Sequence, residues 1–158
     1  MMGRQRRERM REAWGWMLFA HAKVLRALEA DLLEQHDLPI TWFDVMNRLR
    51  EAPGQRLRMH ELEAASLFTK SGLTRLVDRI EDAGFVRRER SPEDRRGVHV
   101  VMTTAGNAKI GAVWEDHVTS IHRHFGQHLD DADAAAIERV ARKILAGNDV
   151  PTAVPGSP

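Results

Sequence analysis

From about Met10 to Gln35, the residues Trp14, Met17, Leu18, His21, Leu25, Leu28 and Leu32 recur at spacings of three and four. That spacing predicts a long helix with a narrow, nearly heptad apolar stripe. Pro39 closes the approach to the next element, and Thr41 with Asp44 three positions on predicts a capping box. The helix it opens buries Phe43, Met46 and Leu49 and stops at Ala52-Pro53-Gly54. Arg56-Leu57-Arg58 has room only for a very short strand. Met59 to Leu67 reads as a further helix with Leu62 and Ala65 inward, poorly capped because no Ser, Thr, Asp or Asn opens it. Phe68 and Thr69 then form a tight turn.

Between Thr69 and Gly84 the pattern is sharpest. Leu73, Leu76, Val77 and Ile80 fall at i, i+3, i+4 and i+7, while Ser71, Thr74, Arg75, Asp78 and Arg79 take the opposite face. Thr69 is placed to cap this helix, and Gly84 stands where a helix-ending residue of positive φ is expected. FVRRER, SPEDRRG and VHVVMTT follow, which read as strand, basic turn and strand, with Val98, Val100, Met102 and Phe85 on one face. Thr103 is the expected cap of another long helix, striped by Ile110, Trp114, His117, Val118, Ile121 and Phe125. Asp130 with Asp133 caps the last, which Ile137, Val140, Ala141, Ile144 and Leu145 line, with Arg142 and Lys143 near its negative end and Gly147 at its close.

A short helix, an amphipathic helix and a basic hairpin in that order predict a winged helix-turn-helix. The fold class is therefore mainly α with a small β-hairpin wing, a winged core flanked by N- and C-terminal dimerisation helices. The boundaries are an arm and first helix over 1–36, a DNA-binding lobe over 37–103, dimerisation helices over 104–147 and a disordered tail over 148–158. The terminal stripes are too long for the central module to cover, so a second copy related by two-fold symmetry is the expected partner.

At 158 residues the chain suits one domain with a sizeable core. No run reaches the roughly 18 apolar residues of a membrane span, and the start, MMGRQRRERMRE, lacks the apolar stretch of a signal peptide, so a cytoplasmic protein without membrane partners is expected. The absence of cysteine excludes disulfides, thiolate metal sites and thiol redox sensing. A net charge of +1 does not by itself argue for nucleic acid. Distribution says more, because arginines concentrate in Arg4 to Arg11 and in Arg87 to Arg96.

A major groove accepts one helix whose N-terminal side chains reach base edges. Here Ser71 and Thr74 permit close approach, Arg75 can take a guanine bidentately, and Lys70 and Arg79 suit phosphates. Gly72 leaves room for the backbone. In the turn, Arg95 and Arg96 suit a narrow minor groove, with Asp94 pairing one of them so that the other points outward. The plain alternative is a solvated helix face with pairs such as Arg75 to Asp78, followed by an ordinary charged turn.

The run Asp94-x-Arg96-x-x-x-Val100-x-Met102-Thr103-x-x-Gly106 resembles the D-x-R-x-x-x-V-x-L-T-x-x-G signature of the MarR family of bacterial transcription regulators. The resemblance extends from Trp14 to Leu145 in its order of helices. Met102 stands for the usual leucine, a volume-conserving change, and Glu63 and Ser66 stand where the family more often has small or apolar residues. It implies a homodimer on double-stranded DNA, with half-sites about 34 to 36 Å apart. It further implies repression relieved by a small aromatic or phenolic effector bound between the dimer helices and the DNA lobe.

For the effector, Trp14, Met17, His21, Trp42, Phe43 and Met46 are the candidate cleft, with core and dimer packing as the alternative. His117, His122, His124 and His128 invite a zinc reading, in which only His124 and His128 have i,i+4 spacing. With no thiolate and no obvious acidic complement, neither metal nor cofactor is expected. No G-x-S-x-G, P-loop or H-E-x-x-H points to an enzyme. The remaining alternatives are a zinc-responsive regulator or a winged-helix module for protein assembly without DNA. Arg95, Arg96 and a hydroxyl-rich helix face disfavour the latter.

Overall fold

The first helix, α1 (Arg4–His36), is 33 residues long, which at 1.5 Å per residue makes a rod of about 50 Å. The computed structural model describes residues 3–65, 70–90 and 97–148, without the side chains of residues 65, 70 and 71. Only the C-terminal part of α1 is covered: Leu28 and Leu32 are buried, while Trp14, Met17 and Leu18 are 58, 48 and 51% exposed. Asp37 ends the helix in the left-handed conformation at φ 47°, and the Asp37 and Leu38 N–H groups donate back to the Leu33 and Leu32 carbonyls. Lys109 Nζ satisfies the His36 carbonyl at 2.6 Å, placing a cation on the negative end of the helix.

Helix α2 (Ile40–Glu51) begins one residue earlier than a capping box at Thr41 requires, with Pro39 as N-cap and no side-chain cap. Thr41 therefore lies inside the first turn and cannot cap it. Glu29 of α1 accepts from the Ile40 N–H instead, at 3.3 Å, and Asp44 turns to Arg48 at 3.0 Å. Gly54 and Gln55 both take positive φ in the turn that follows, and Gln55 exchanges two amide hydrogen bonds with Asn107, at 3.0 and 2.7 Å.

Strand β1 (Arg56–Arg58) leads into α3 (Met59–Ala65). Helix α3 has no Ser or Thr cap, but Glu61 reaches back to the Arg58 N–H at 2.7 Å, half of a capping box. The expected extension to Leu67, the Phe68 turn and the Thr69 cap lie outside the described residues. Helix α4 (Lys70–Asp82) buries Leu73, Leu76, Val77 and Ile80. Gly84 ends it at φ 80°, and Phe85 N–H closes on the Ile80 carbonyl at 3.1 Å, as a glycine-terminated helix does.

Strands β2 (Val86–Arg90) and β3 (Val98–Met102) form the antiparallel hairpin, and β1 adds to its other side in the order β1-β3-β2. Val100 faces Arg88 on one neighbour and Leu57 on the other. Val98 does not share the buried face expected of it: it is 37% exposed, whereas Val100, Val101 and Met102 are buried. The alternation holds only where helices cover the sheet, and Val98 sits at the end of β3 that faces Arg90.

Helix α5 (Thr104–His124) is capped by Thr103, whose side chain accepts from Gly106 N–H. Its buried line is Gly106, Ile110, Val113, His117 and Ser120, so Val118, Ile121 and Phe125 of the expected stripe are 43, 38 and 40% exposed. Ser120 is buried because it bonds Asp31 of α1, a polar contact that an apolar pattern does not display. Helix α6 (Asp131–Ala146) carries the expected reciprocal capping box between Asp130 and Asp133, and none of its residues is buried. The core lies where α2, α4 and the sheet meet the end of α1 and the first turns of α5, around Leu38, Met46, Leu49, Leu73, Val100, Ile110 and Val113. Among the described residues no helix is long and apolar enough to cross a membrane.

Candidate nucleic-acid interface

Burial of one face of α4 against the core fixes what the other face offers. Gly72, Thr74, Arg75, Asp78 and Arg79 are all exposed. Lys70 and Ser71 are helical in backbone, and their side chains lie outside the described residues. Arg75 has no ion-pair partner among the described residues, because Asp78 is taken by Arg88 of β2 at 2.7 Å. The Arg75 to Asp78 pair that would mark a merely solvated face is therefore not formed. Arg79 stands with its guanidinium 5.8 Å from the centre of the Trp42 ring. Asp94, Arg95 and Arg96 lie outside the described residues.

Arg88 is the residue that sequence reasoning missed. In the sequence it belongs to the basic run of the wing, yet it turns inward onto α4, where it also pairs with Glu81 and reaches the Thr74 carbonyl at 3.4 Å. A signal was available: Val86 is buried, so by strand alternation Arg88 shares its face. Arg87 of the same strand faces outward and pairs with Glu89.

The other end of the signature is a joint. The Thr103 hydroxyl lies 2.7 Å from the Gly84 carbonyl and 3.0 Å from that of Phe85, and its oxygen accepts the Gly106 N–H at 3.0 Å. One side chain thus ends α4, begins β2 and caps α5.

The six residues expected to form an effector cleft are not brought together. Met46 is wholly buried in the core. Trp42 packs edge-on to Phe85 at 6.3 Å, beside Arg79. His21 and Phe43 do meet, in a cavity of 370 Å³ lined also by Leu25, Leu28, Ile40, Arg48 and His117. Trp14 and Met17 line a separate groove of 530 Å³ with Met10, Ile137, Val140 and Ile144.

The histidines are dispersed. His117 is buried against the Phe43 ring, 4.1 Å between centroids, its Nδ1 has no hydrogen-bond partner among the described residues, and burial pushes its pKa below the ordinary imidazole value. His124 pairs with Asp31 at 2.9 Å and His36 with Asp116 at 3.0 Å. The Ser120 hydroxyl, His124 and Arg123 together hold the Asp31 carboxyl below its usual range. Helix α5 stops at His124, and His128 sits on the following 3-10 turn, so the helical i,i+4 relation expected of that pair does not exist. Among the described residues no three metal-ligating side chains gather.

Comparison with known proteins agrees with this geometry. The model of the MarR family matches residues 36–97. The transcriptional regulator HosA of Escherichia coli O111:H- is 30% identical over 114 residues, 70% of this chain and 82% of that protein. The HTH-type regulator YkoM of Bacillus subtilis is 29% identical over 101 residues, 63% of this chain, and the match spans 64% of its length. Among solved structures, AbsC, a MarR family regulator of Streptomyces coelicolor, superposes with a TM-score of 0.82 at 31% identity, covering 88% of this chain and 93% of that one. Sco3205 of the same organism, solved in complex with DNA, gives 0.83 at 26% identity over 92% and 91%. A buried-faced α4, the hairpin beside it and the Thr103–Gly106 joint are thus this chain's version of a shared plan, and the protein belongs to the MarR family of transcription regulators.

Proposed function

We propose that the protein is a sequence-specific, DNA-binding transcription regulator that represses from a pseudo-palindromic operator as a homodimer. The observation that carries this reading is the state of Arg75: exposed near the start of α4, unpaired among the described residues, with Asp78 one turn away already neutralised by Arg88. An arginine so placed is available for the bidentate guanine contact that dominates major-groove readout. Lys70, Ser71, Gly72, Thr74 and Arg79 frame it, and Asp94, Arg95 and Arg96 supply the wing. Sco3205, whose fold superposes on this chain, was solved with DNA.

Dimerisation is supported by α6, none of whose residues is buried within the protomer. An isolated helix of that length is marginal in water, so Ile137, Val140 and Ile144 need a cover. A second copy offers the matching stripe of Trp14, Met17 and Leu18. Helices 4–36 and 104–146 then form the dimer body, although Leu32, Ile110 and Val113 also belong to the core of the lobe.

The effector site we assign to the 370 Å³ cavity at the joint of α1, α2 and α5. Its walls are Leu25, Leu28 and Phe43, with His117 and Arg48 as polar groups, a combination that suits a flat aromatic acid. Such a ligand acts if it favours one spacing of the two recognition helices over the other. Electrophoretic shift against DNA upstream of the protein's own gene tests the reading. Absence of a shift at low salt with every promoter-proximal fragment overturns it, and release of a shifted band by an aromatic acid tests the effector.

A further inference from the structure

We propose that Arg88 is a positioning residue for DNA recognition: it locks the exposed edge of α4 to the wing strand and cancels the carboxylates that α4 presents beside its reading face. The proposal rests on the DNA-binding reading above.

An arginine on a wing is ordinarily counted as a phosphate contact. Arg88 is otherwise committed. Its side chain is only 26% exposed, Nη2 stands 2.7 Å from Asp78 Oδ1, and Nη1 pairs with Glu81 Oε2. The Arg88 N–H donates to Glu81 Oε1 at 2.7 Å, so backbone and side chain grip the same carboxylate. Nη2 also reaches the Thr74 carbonyl at 3.4 Å. Residues 74, 78 and 81 are spaced i, i+4 and i+7, so one guanidinium holds a single edge of α4 over two turns.

Two consequences follow from that geometry. First, base readout demands placement to within about 0.5 Å and 10–20°. The apolar face of α4 fixes its depth on the core, while the fork of Arg88 fixes its rotation and couples it to β2, whose Arg88 lies opposite Val100 in mid-hairpin. Helix and wing move as one body. Second, Asp78 stands on the same face as Arg75 and its side chain is 52% exposed. Left unpaired beside phosphates it would repel the duplex. A lysine would restore the charge, but a point charge does not span two carboxylates as a planar fork does.

The test separates position from charge. A duplex selected by the wild-type protein from a random pool is compared with a scrambled duplex of the same composition, at fixed salt. The double variant Asp78→Asn with Glu81→Gln removes two negative charges and frees Arg88, so charge alone would strengthen binding to both duplexes equally. The expected result is the opposite for discrimination: binding to the scrambled duplex holds or rises, and the preference for the selected duplex falls about tenfold. Arg88→Lys is expected to keep binding to the scrambled duplex and to lose preference to a similar extent. Full preference retained by either variant overturns the proposal. Far-UV circular dichroism and melting confirm that each is folded, and if Arg88→Lys does not fold, the double variant decides. A wild-type protein that selects no duplex overturns the DNA reading and this proposal with it, a result distinct from variants that bind without loss of preference.

Discussion

Gly106 packs against the chain at Phe85 so closely that a side chain has no place there: a Cβ at 106 would stand 2.6 Å from Met102 Sδ and closer still to the Phe85 carbonyl oxygen. The obstacle is partly backbone, which cannot swing aside. Gly106→Ala should therefore destabilise the protein by about 1–3 kcal/mol, as overpacking of a tight contact does. Thr103→Val, which keeps the shape and removes the hydroxyl, should cost about 1 kcal/mol for the lost cap, and somewhat more if the Gly84 and Phe85 carbonyls are left dry. Chemical denaturation measures both. A Gly106→Ala protein as stable as the parent would mean that the joint between α5 and β2 yields easily.

Acid should weaken the fold in two separate steps. Burial holds His117 below the ordinary imidazole pKa, so in the intermediate window the unfolded chain binds a proton that the folded chain does not. Its stabilising contribution is complete above about pH 6.5 and is lost as the pH falls from there toward the depressed folded value. Asp31 is held below the usual carboxylate value by the Ser120 hydroxyl, with His124 and Arg123. Its contribution is present above about pH 4 and disappears as the pH falls through the lowered folded value. Denaturant midpoints from pH 3 to 8 should lose the upper step in His117→Gln and the lower step in Asp31→Asn. If each variant merely shifts the whole curve down without changing its shape, neither group is the titrating one.

Where burial is continuous, hydrophobic spacing predicted the elements closely, as in the Leu73–Ile80 face of α4, whose positions all reach the core. Capping residues were legible when their partner was local, as for Thr103 and for Asp130 with Asp133. They misled at Thr41 and Asp44, because the need they would have met is supplied from α1, by Glu29. Partners distant in sequence were likewise invisible at Ser120, whose burial follows from Asp31, and at Arg88, whose carboxylates lie on another element. Aromatic type alone did not assemble the effector cleft. Trp42 and Met46 belong to packing and Trp14 to an outer groove, because what a side chain faces depends on helix crossings that no single helix encodes.

Trp14 and Ile137 line one apolar groove while standing 58 and 46% exposed in the protomer. If a second copy fills that groove, replacing either by glutamate puts a charge into an interface and should weaken the dimer by about 2 kcal/mol or more, the range of a well-packed interface anchor. Sedimentation at micromolar concentration would show the shift to monomer. Far-UV circular dichroism should fall in parallel, since α6 loses the cover that a partner supplies. Trp42→Ala is the matched control, because Trp42 packs on Phe85 within the lobe; it should lower stability and leave the association state alone. Unchanged sedimentation of both glutamate variants would place the dimer surface elsewhere.

Arg75 and the wing arginines should differ in kind. A bidentate guanine pairing carries sequence information, so Arg75→Ala should cost about 1–3 kcal/mol on the selected duplex and relax preference at one base pair per half-site. Arg95→Ala and Arg96→Ala remove charge near the backbone, so they should weaken all duplexes alike and shallow the salt slope by about one unit for each phosphate no longer neutralised. Titrations at several salt concentrations, with selected and scrambled duplexes in parallel, read both effects from one data set. Equal weakening on the two duplexes for Arg75→Ala would reassign it to a phosphate. An unchanged slope for both wing variants would mean that the wing does not touch DNA, leaving α4, held by Arg88, as the sole reader.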